Sequence, residues 1–101
     1  MLVEKIKMEK EINKKLSRRA SARKFFDNLD KSFTELVIDF DNVEFISRSF
    51  AQEYIYQKHN KGINLIEKNM TDFVENMLEI VEKDYTETFR WYFNVNSEKL
   101  R

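Results

Sequence analysis

Cysteine and proline are missing altogether from this chain, and glycine and histidine occur once each, as Gly62 and His59. Without cysteine, disulfides, thiolate nucleophiles and cysteine-ligated metals are excluded. The same absence suits a reducing compartment, and a cytoplasmic location is the expectation. A single glycine cannot supply the close backbone approach of a GxxxxGK(S/T) or GxGxxG phosphate loop. With no proline and one glycine, no flexible linker is expected, and the sequence contains no internal repeat. No apolar run approaches the length that spans a bilayer, so no membrane partner is expected. The first residues, MLVEKIKMEKEI, lack the apolar centre of a signal peptide.

Large apolar side chains are plentiful: nine phenylalanines, four tyrosines and one tryptophan. They can build one core in a chain of 101 residues, and the whole length, 1–101, reads as a single small domain. The formal charge is zero but unevenly spread. Residues 1–24 carry nine Lys/Arg against three Asp/Glu, a balance of +6, whereas residues 25–70 and 71–101 carry −3 each. A basic segment beside an acidic body can steer an anionic partner, favour head-to-tail self-association, or simply be a solvated surface.

The periodicities predict alternating strands and helices. Val3–Met8 reads as a strand through Leu2, Ile6 and Met8, with helix as a competitor. Ser17 is placed to cap a helix whose inner face is Ala22, Phe25, Phe26 and Leu29, followed by a turn at Asp30-Lys31-Ser32. Glu35–Phe40 contains three consecutive apolar residues, as expected for a strand covered on both faces. Asp41-Asn42 favours a turn. Ser49 with Gln52 matches a capping box, Ser47 is an alternative cap, and Phe50, Ala51, Tyr54 and Ile55 form the buried stripe of the helix that follows. Asn60 or Gly62 can end it in a left-handed conformation. Ile63–Ile66 is a short strand. Asn69 with Asp72, or Thr71 alone, caps a last helix with Phe73, Val74, Met77, Leu78 and Val81 inward and Ile80 at the flank. For residues 84–101 the alternation of Phe89, Trp91, Phe93 and Val95 predicts an edge strand over Thr88–Val95, and with it a homodimer. The helical competitor uses Tyr85, Phe89, Tyr92 and Phe93. The fold class is therefore α/β, with a mixed or mostly parallel sheet and packed helices.

Residues able to carry chemistry are few. His59 lies at a helix end, roughly 15 Å along its helix from Ser47 and Ser49, too far for a nucleophile–base pair within one subunit. Asp39, Asp41 and Glu44 could hold a hard cation, but nothing beside them cradles a phosphate, and a brace for the loop after the strand is the plainer role of Asp39. No catalytic residue, metal or cofactor is expected. Ser47, Arg48 and Ser49 stand at a helix start, where free amides and a guanidinium favour an anion. Arg18 and Arg19, in the first turn of their helix, oppose its dipole and call for a compensating anion. Arg18, Arg19, Arg23 and Arg48 are thus the candidate anion-binding residues. Lys14, Lys15 and Lys24 extend the first three into a patch that could contact nucleic-acid phosphates, without any base-reading motif.

Three segments, SRRASARKFFDNL, ELVIDFDNVEFISRSFAQEYI and GINLIEKNMTDFVENML, resemble the STAS-like domain of unknown function known as DUF4325, from about Ser17 to Val81. The densest correspondence is Asp39-Phe40, Ser47, Ser49, Phe50 and Ala51. The resemblance implies a STAS-like fold, distantly similar to anti-sigma-factor antagonists, which bind a kinase-type anti-sigma factor and are switched by serine phosphorylation in a D-S-S-G segment. On this chain that segment falls on Ser47, Arg48, Ser49 and Phe50, so an arginine stands where the phosphorylated serine would be. The implied function is a non-catalytic regulatory protein–protein interaction module without that switch. Its partner would be a protein, such as a kinase-type ATPase or a transcription regulator, bound through Asp41, Asn42, Glu44, Ser47, Arg48, Ser49 and Tyr54. The alternative is a nucleic-acid-associated protein using the basic N-terminal segment.

Overall fold

Two successive strand–helix–strand units build the body. The structure is a computed structural model that describes residues 3–29, 32 and 35–99, with side chains described between 4 and 88. In chain order the elements are β1 (Val3–Lys7), the single turn α1 (Met8–Glu11), β2 (Lys15–Leu16), α2 (Arg19–Asp27), β3 (Glu35–Asp39), β4 (Phe45–Ile46), α3 (Arg48–Lys61), β5 (Asn64–Lys68) and α4 (Asp72–Lys99). β1, β3 and β5 form one sheet in that order, all parallel, with Ile6 opposite Ile38 and Leu36 opposite Leu65. β2 and β4 form a separate two-stranded parallel bridge beyond the ends of β1 and β3. The architecture is α/β with parallel sheets.

The alternation along the sheet decides where the helices sit. Ile6, Leu36, Ile38 and Leu65 share one face and are buried. On the other face Lys5, Lys7, Ile66 and Lys68 are exposed and Val37 is half-buried. The expectation of a strand covered on both faces is therefore corrected: the apolar run Leu36-Val37-Ile38 is fully enclosed on one side only. The enclosed side is met by Ala22, Phe25 and Phe26 of α2, Phe50, Ala51, Tyr54 and Ile55 of α3, and Val74, Leu78 and Val81 of α4. All four residues expected inward from α3 are buried. Of the expected inner face of α4, Phe73 is exposed, as is Ile80 at the flank.

Local chemistry sets the helix ends. Arg18, not Ser17, occupies the cap of α2, with no side-chain cap bond. The Ser17 carbonyl accepts a hydrogen bond from Ser47 Oγ at 2.6 Å, which ties the start of α2 to the start of α3. Ser47, not Ser49, caps α3, its Oγ accepting from the Phe50 amide at 3.0 Å. Gly62 closes α3 at φ 67°, in the left-handed region where a side chain would be strained. Thr71 Oγ1 accepts from the Val74 amide at 3.2 Å and starts α4. The edge strand expected over Thr88–Val95 is a helix instead, the continuation of α4. No glycine or proline follows Gly62, so a capped helix packed through Val74, Leu78 and Val81 has nothing to stop its propagation. The dimer expected from that strand loses its structural ground, and the side chains of Phe89, Trp91 and Phe93 lie outside the described residues. Of the turn expected at Asp30-Lys31-Ser32, Ser32 is in a turn, and Asp30 and Lys31 lie outside the described residues.

Candidate functional site

The segment from Asp39 to Ser49 leaves the carboxyl end of the central strand and enters α3, the place where open α/β sheets collect functional groups. It is held on both sides by backbone bonds. The Phe40 amide donates to the Lys68 carbonyl at 2.9 Å, the Glu44 amide to Lys14 at 2.8 Å, and the Ser47 amide to Leu16 at 2.8 Å. Phe40, Val43 and Ile46 point into the core and anchor the loop from below. Asn42 takes φ 65°, a conformation its side chain tolerates better than most, and turns the chain back.

Asp39 organises this loop. It is buried, and its Oδ1 accepts from the Asp41 amide at 2.9 Å and from Asn69 Nδ2 at 3.0 Å, while Lys5 Nζ lies 3.6 Å from Oδ2. The Asn69 and Asp41 hydrogen bonds, helped by Lys5 and Lys7, hold its carboxyl below the usual carboxylate range against the opposing effect of burial. Asn69 is itself at φ 61°, so one residue both turns the chain after β5 and braces the loop after β3. A group whose pKa is lowered on folding stabilises the fold above the unfolded carboxylate range and loses that contribution as pH falls through its folded value. Asn69→Gly keeps the positive φ and removes the leading donor. We expect it to cost about 1–2 kcal/mol at neutral pH. Urea denaturation should show the gap to wild type narrowing below about pH 4; a gap independent of pH would contradict this role for Asn69.

Above that brace, Asp41, Asn42, Glu44, Phe45, Arg48 and Ser49 are exposed, and Ser47 is half-buried in its capping role. Arg48 reaches Asp84 of α4 at 3.0 Å. Tyr54, expected among the partner contacts, is fully buried and is removed from that set. Its ring lies edge-on to Phe26 and Phe40 and stacks on Phe50. Its hydroxyl donates to Glu67 Oε2 at 2.6 Å. Burial first, and then Glu67, push that hydroxyl well above the ordinary tyrosine range.

The four candidate anion-binding arginines do not form one site. Arg19 and Arg23 both approach Glu53 Oε1, at 3.7 and 3.5 Å, and Arg19 also donates to Gln52 Oε1 at 2.7 Å. Glu53 is almost fully buried and accepts from Gln57 at 2.7 Å. The anion that compensates Arg19 in the first turn of α2 is therefore internal. Arg48 is held by Asp84, and Arg18 alone stays exposed without an ion pair among the described residues. His59 stacks on Tyr85 with centroids 4.8 Å apart, and its Nε2 lies 3.0 Å from Glu82. Among the described residues Asp39, Asp41 and Glu44 do not converge into a metal-holding group.

Two features escaped the sequence reading. Glu53 sits between Phe50 and Tyr54 on the inner side of α3, and the unpaired arginines one helix earlier were its signal. Phe45 and Phe73 stack with centroids 5.7 Å apart, although Phe45 is 38% and Phe73 48% exposed. No periodicity announces that pair, because it joins a two-residue strand to the first turn of α4.

Against the sequence models of known families, residues 21–71 match the STAS-like domain of unknown function, DUF4325. The chain belongs to that family, and the match takes in α2 from Ser21 on, β3, the braced loop, α3 and β5. It is shorter at both ends than the resemblance from about Ser17 to Val81 suggested. Neither the curated proteins nor the solved structures yielded a match. Among the described residues no helix is long and apolar enough to cross a membrane.

Proposed function

We propose that this protein is a non-catalytic regulatory module that binds another protein through the loop–helix surface of Asp41, Asn42, Glu44, Arg48 and Ser49, with Ser47 as its internal cap. The observation that carries this reading is the contrast between the two sides of the loop. Beneath it, buried Asp39, Val43 and Ile46 and half-buried Ser47 fix the backbone through hydrogen bonds and packing. Above it, a mixed set of acidic, amide, hydroxyl and guanidinium groups faces solvent. A pre-organised backbone that presents exposed polar groups, with Arg48 itself held by Asp84, lowers the ordering cost of association. Family membership is consistent with this reading, and a kinase-type ATPase or a transcription regulator is the kind of partner it suggests. We place the module in the cytoplasm. Nucleic-acid binding is the weaker reading, since Arg19 and Arg23 are engaged by Glu53 and the remaining patch is smaller than the sequence suggested.

Affinity capture from the native host tests the proposal. The wild-type chain should recover a specific protein, and Glu44→Lys/Arg48→Glu should reduce that recovery by at least about tenfold. Recovery of no specific protein by a folded bait, or equal recovery by the charge-reversed bait, would overturn it.

A further inference from the structure

We infer that Phe45, Phe73 and Ile80 form the seat for a cationic amphipathic helix of the protein partner. The inference deepens the interaction-module reading and rests on it. Phe73 and Ile80 stand seven residues apart on α4, on the same side, with half-buried Met77 between them. Ile80 is 53% exposed, and the stacked Phe45 widens the stripe at its amino end. The stripe therefore runs about 10 Å along α4, two turns, which is the footprint of i, i+3/i+4 and i+7 anchors on an incoming helix. Its amino end is continuous with the braced loop, since Phe45 follows Glu44 directly.

Charge selects the partner. From residue 72 to 88, α4 carries six acidic residues and one basic residue, Lys83. Glu82 and Asp84 are engaged by α3, but Asp72, Glu75, Glu79 and Glu87 make no ion pair among the described residues. At the loop end, exposed Asp41 and Glu44 are matched in number by the exposed Lys14 and Lys15 beside Phe45, so the net negative charge comes from α4. An apolar stripe within a negative field favours an apolar ridge flanked by lysine or arginine, and it repels nucleic acid and anionic lipid.

The test uses a fluorescein-labelled synthetic helix of about 18 residues with leucines at i, i+3, i+4 and i+7 and lysines beside them. The comparison peptide has glutamates in place of those lysines. Anisotropy with the full chain should show saturable binding of the lysine peptide that weakens about tenfold between about 50 and about 300 mM salt. The glutamate peptide should bind at least about tenfold more weakly. Phe45→Ser/Phe73→Ser should lower affinity at least about tenfold while the circular dichroism spectrum is retained, because both rings lie on the surface. Glu44→Lys/Glu79→Lys leaves the apolar stripe intact and should remove the preference for lysine. Absent or unsaturable binding, equal affinity for the two peptides, or indifference to the phenylalanine changes would overturn the inference. So would self-association of the free protein that disappears in Phe45→Ser/Phe73→Ser, which would assign the stripe to a second copy. Failure of the peptide with host capture intact removes the seat alone; failure of host capture removes the module reading and the role of the seat with it.

Discussion

Replacing Tyr54 by alanine is expected to cost about 3–5 kcal/mol, against a total of about 5–15 kcal/mol for a domain of this kind. The ring is fully buried where α2, α3 and the end of β3 meet, against Phe26, Phe40 and Phe50. Its removal leaves a cavity among aromatic neighbours that cannot collapse without moving the loop anchored by Phe40. Tyr54→Phe separates the ring from the hydroxyl. It should cost about 1–2 kcal/mol, the loss of a hydrogen bond to the Glu67 carboxylate. The pH dependence supplies a further check. The hydroxyl ionises less readily in the folded chain than in the unfolded one, so its contribution is complete below the unfolded tyrosine value of about 10. It declines as pH rises from there towards the folded value, because only the unfolded chain loses the proton. Denaturation of wild type and Tyr54→Phe should therefore show the gap between them narrowing above about pH 10. A constant gap would mean that Tyr54 ionises alike in both states.

Removing both Arg19 and Arg23 is expected to cost about 2–4 kcal/mol, which is large for two side chains that are roughly half exposed. The reason lies with Glu53, whose side chain is 5% exposed and would keep only Gln57 as a partner. Either single change leaves one guanidinium near Glu53 Oε1, so the double change should exceed the sum of the singles. Adding Glu53→Gln to the double variant should recover much of the loss, because the charge without a counterion is then gone. Urea denaturation of this set checks the argument. Additive single effects with no recovery by Glu53→Gln would show the arginines to be ordinary surface residues.

The alternation of strands and helices was legible because each buried side is spelled out in sequence: Ala22, Phe25 and Phe26 on α2, and Phe50, Ala51, Tyr54 and Ile55 on α3. The brace at Asp39 was legible as a carboxylate ending a buried strand, although Asn69 as its partner was not, since 30 residues separate them. The bridge between β2 and β4 left no trace, because two residues in each strand are too few to carry a period. The carboxyl-terminal segment misled for the opposite reason. Phe89, Trp91, Phe93 and Val95 alternate cleanly, yet period two over eight residues competes with a helix already nucleated at Thr71, and propagation prevails. Tyr54 was placed on the partner surface although its spacing with Phe50 and Ile55 marks it as core. The exposed pair Phe45 and Phe73 was hidden because hydrophobic spacing reports which side of a helix is apolar, not how much of that side the body covers.

The claim that the braced loop is the partner-binding surface is tested most directly by site-specific photo-crosslinking in the native host. A photoreactive residue at Glu44, exposed on the loop, is compared with one at Lys10, exposed on α1. The account predicts a discrete covalent adduct to one host protein from position 44 and none from position 10. An adduct of equal yield from both positions, or none from position 44 in a folded chain, would contradict it.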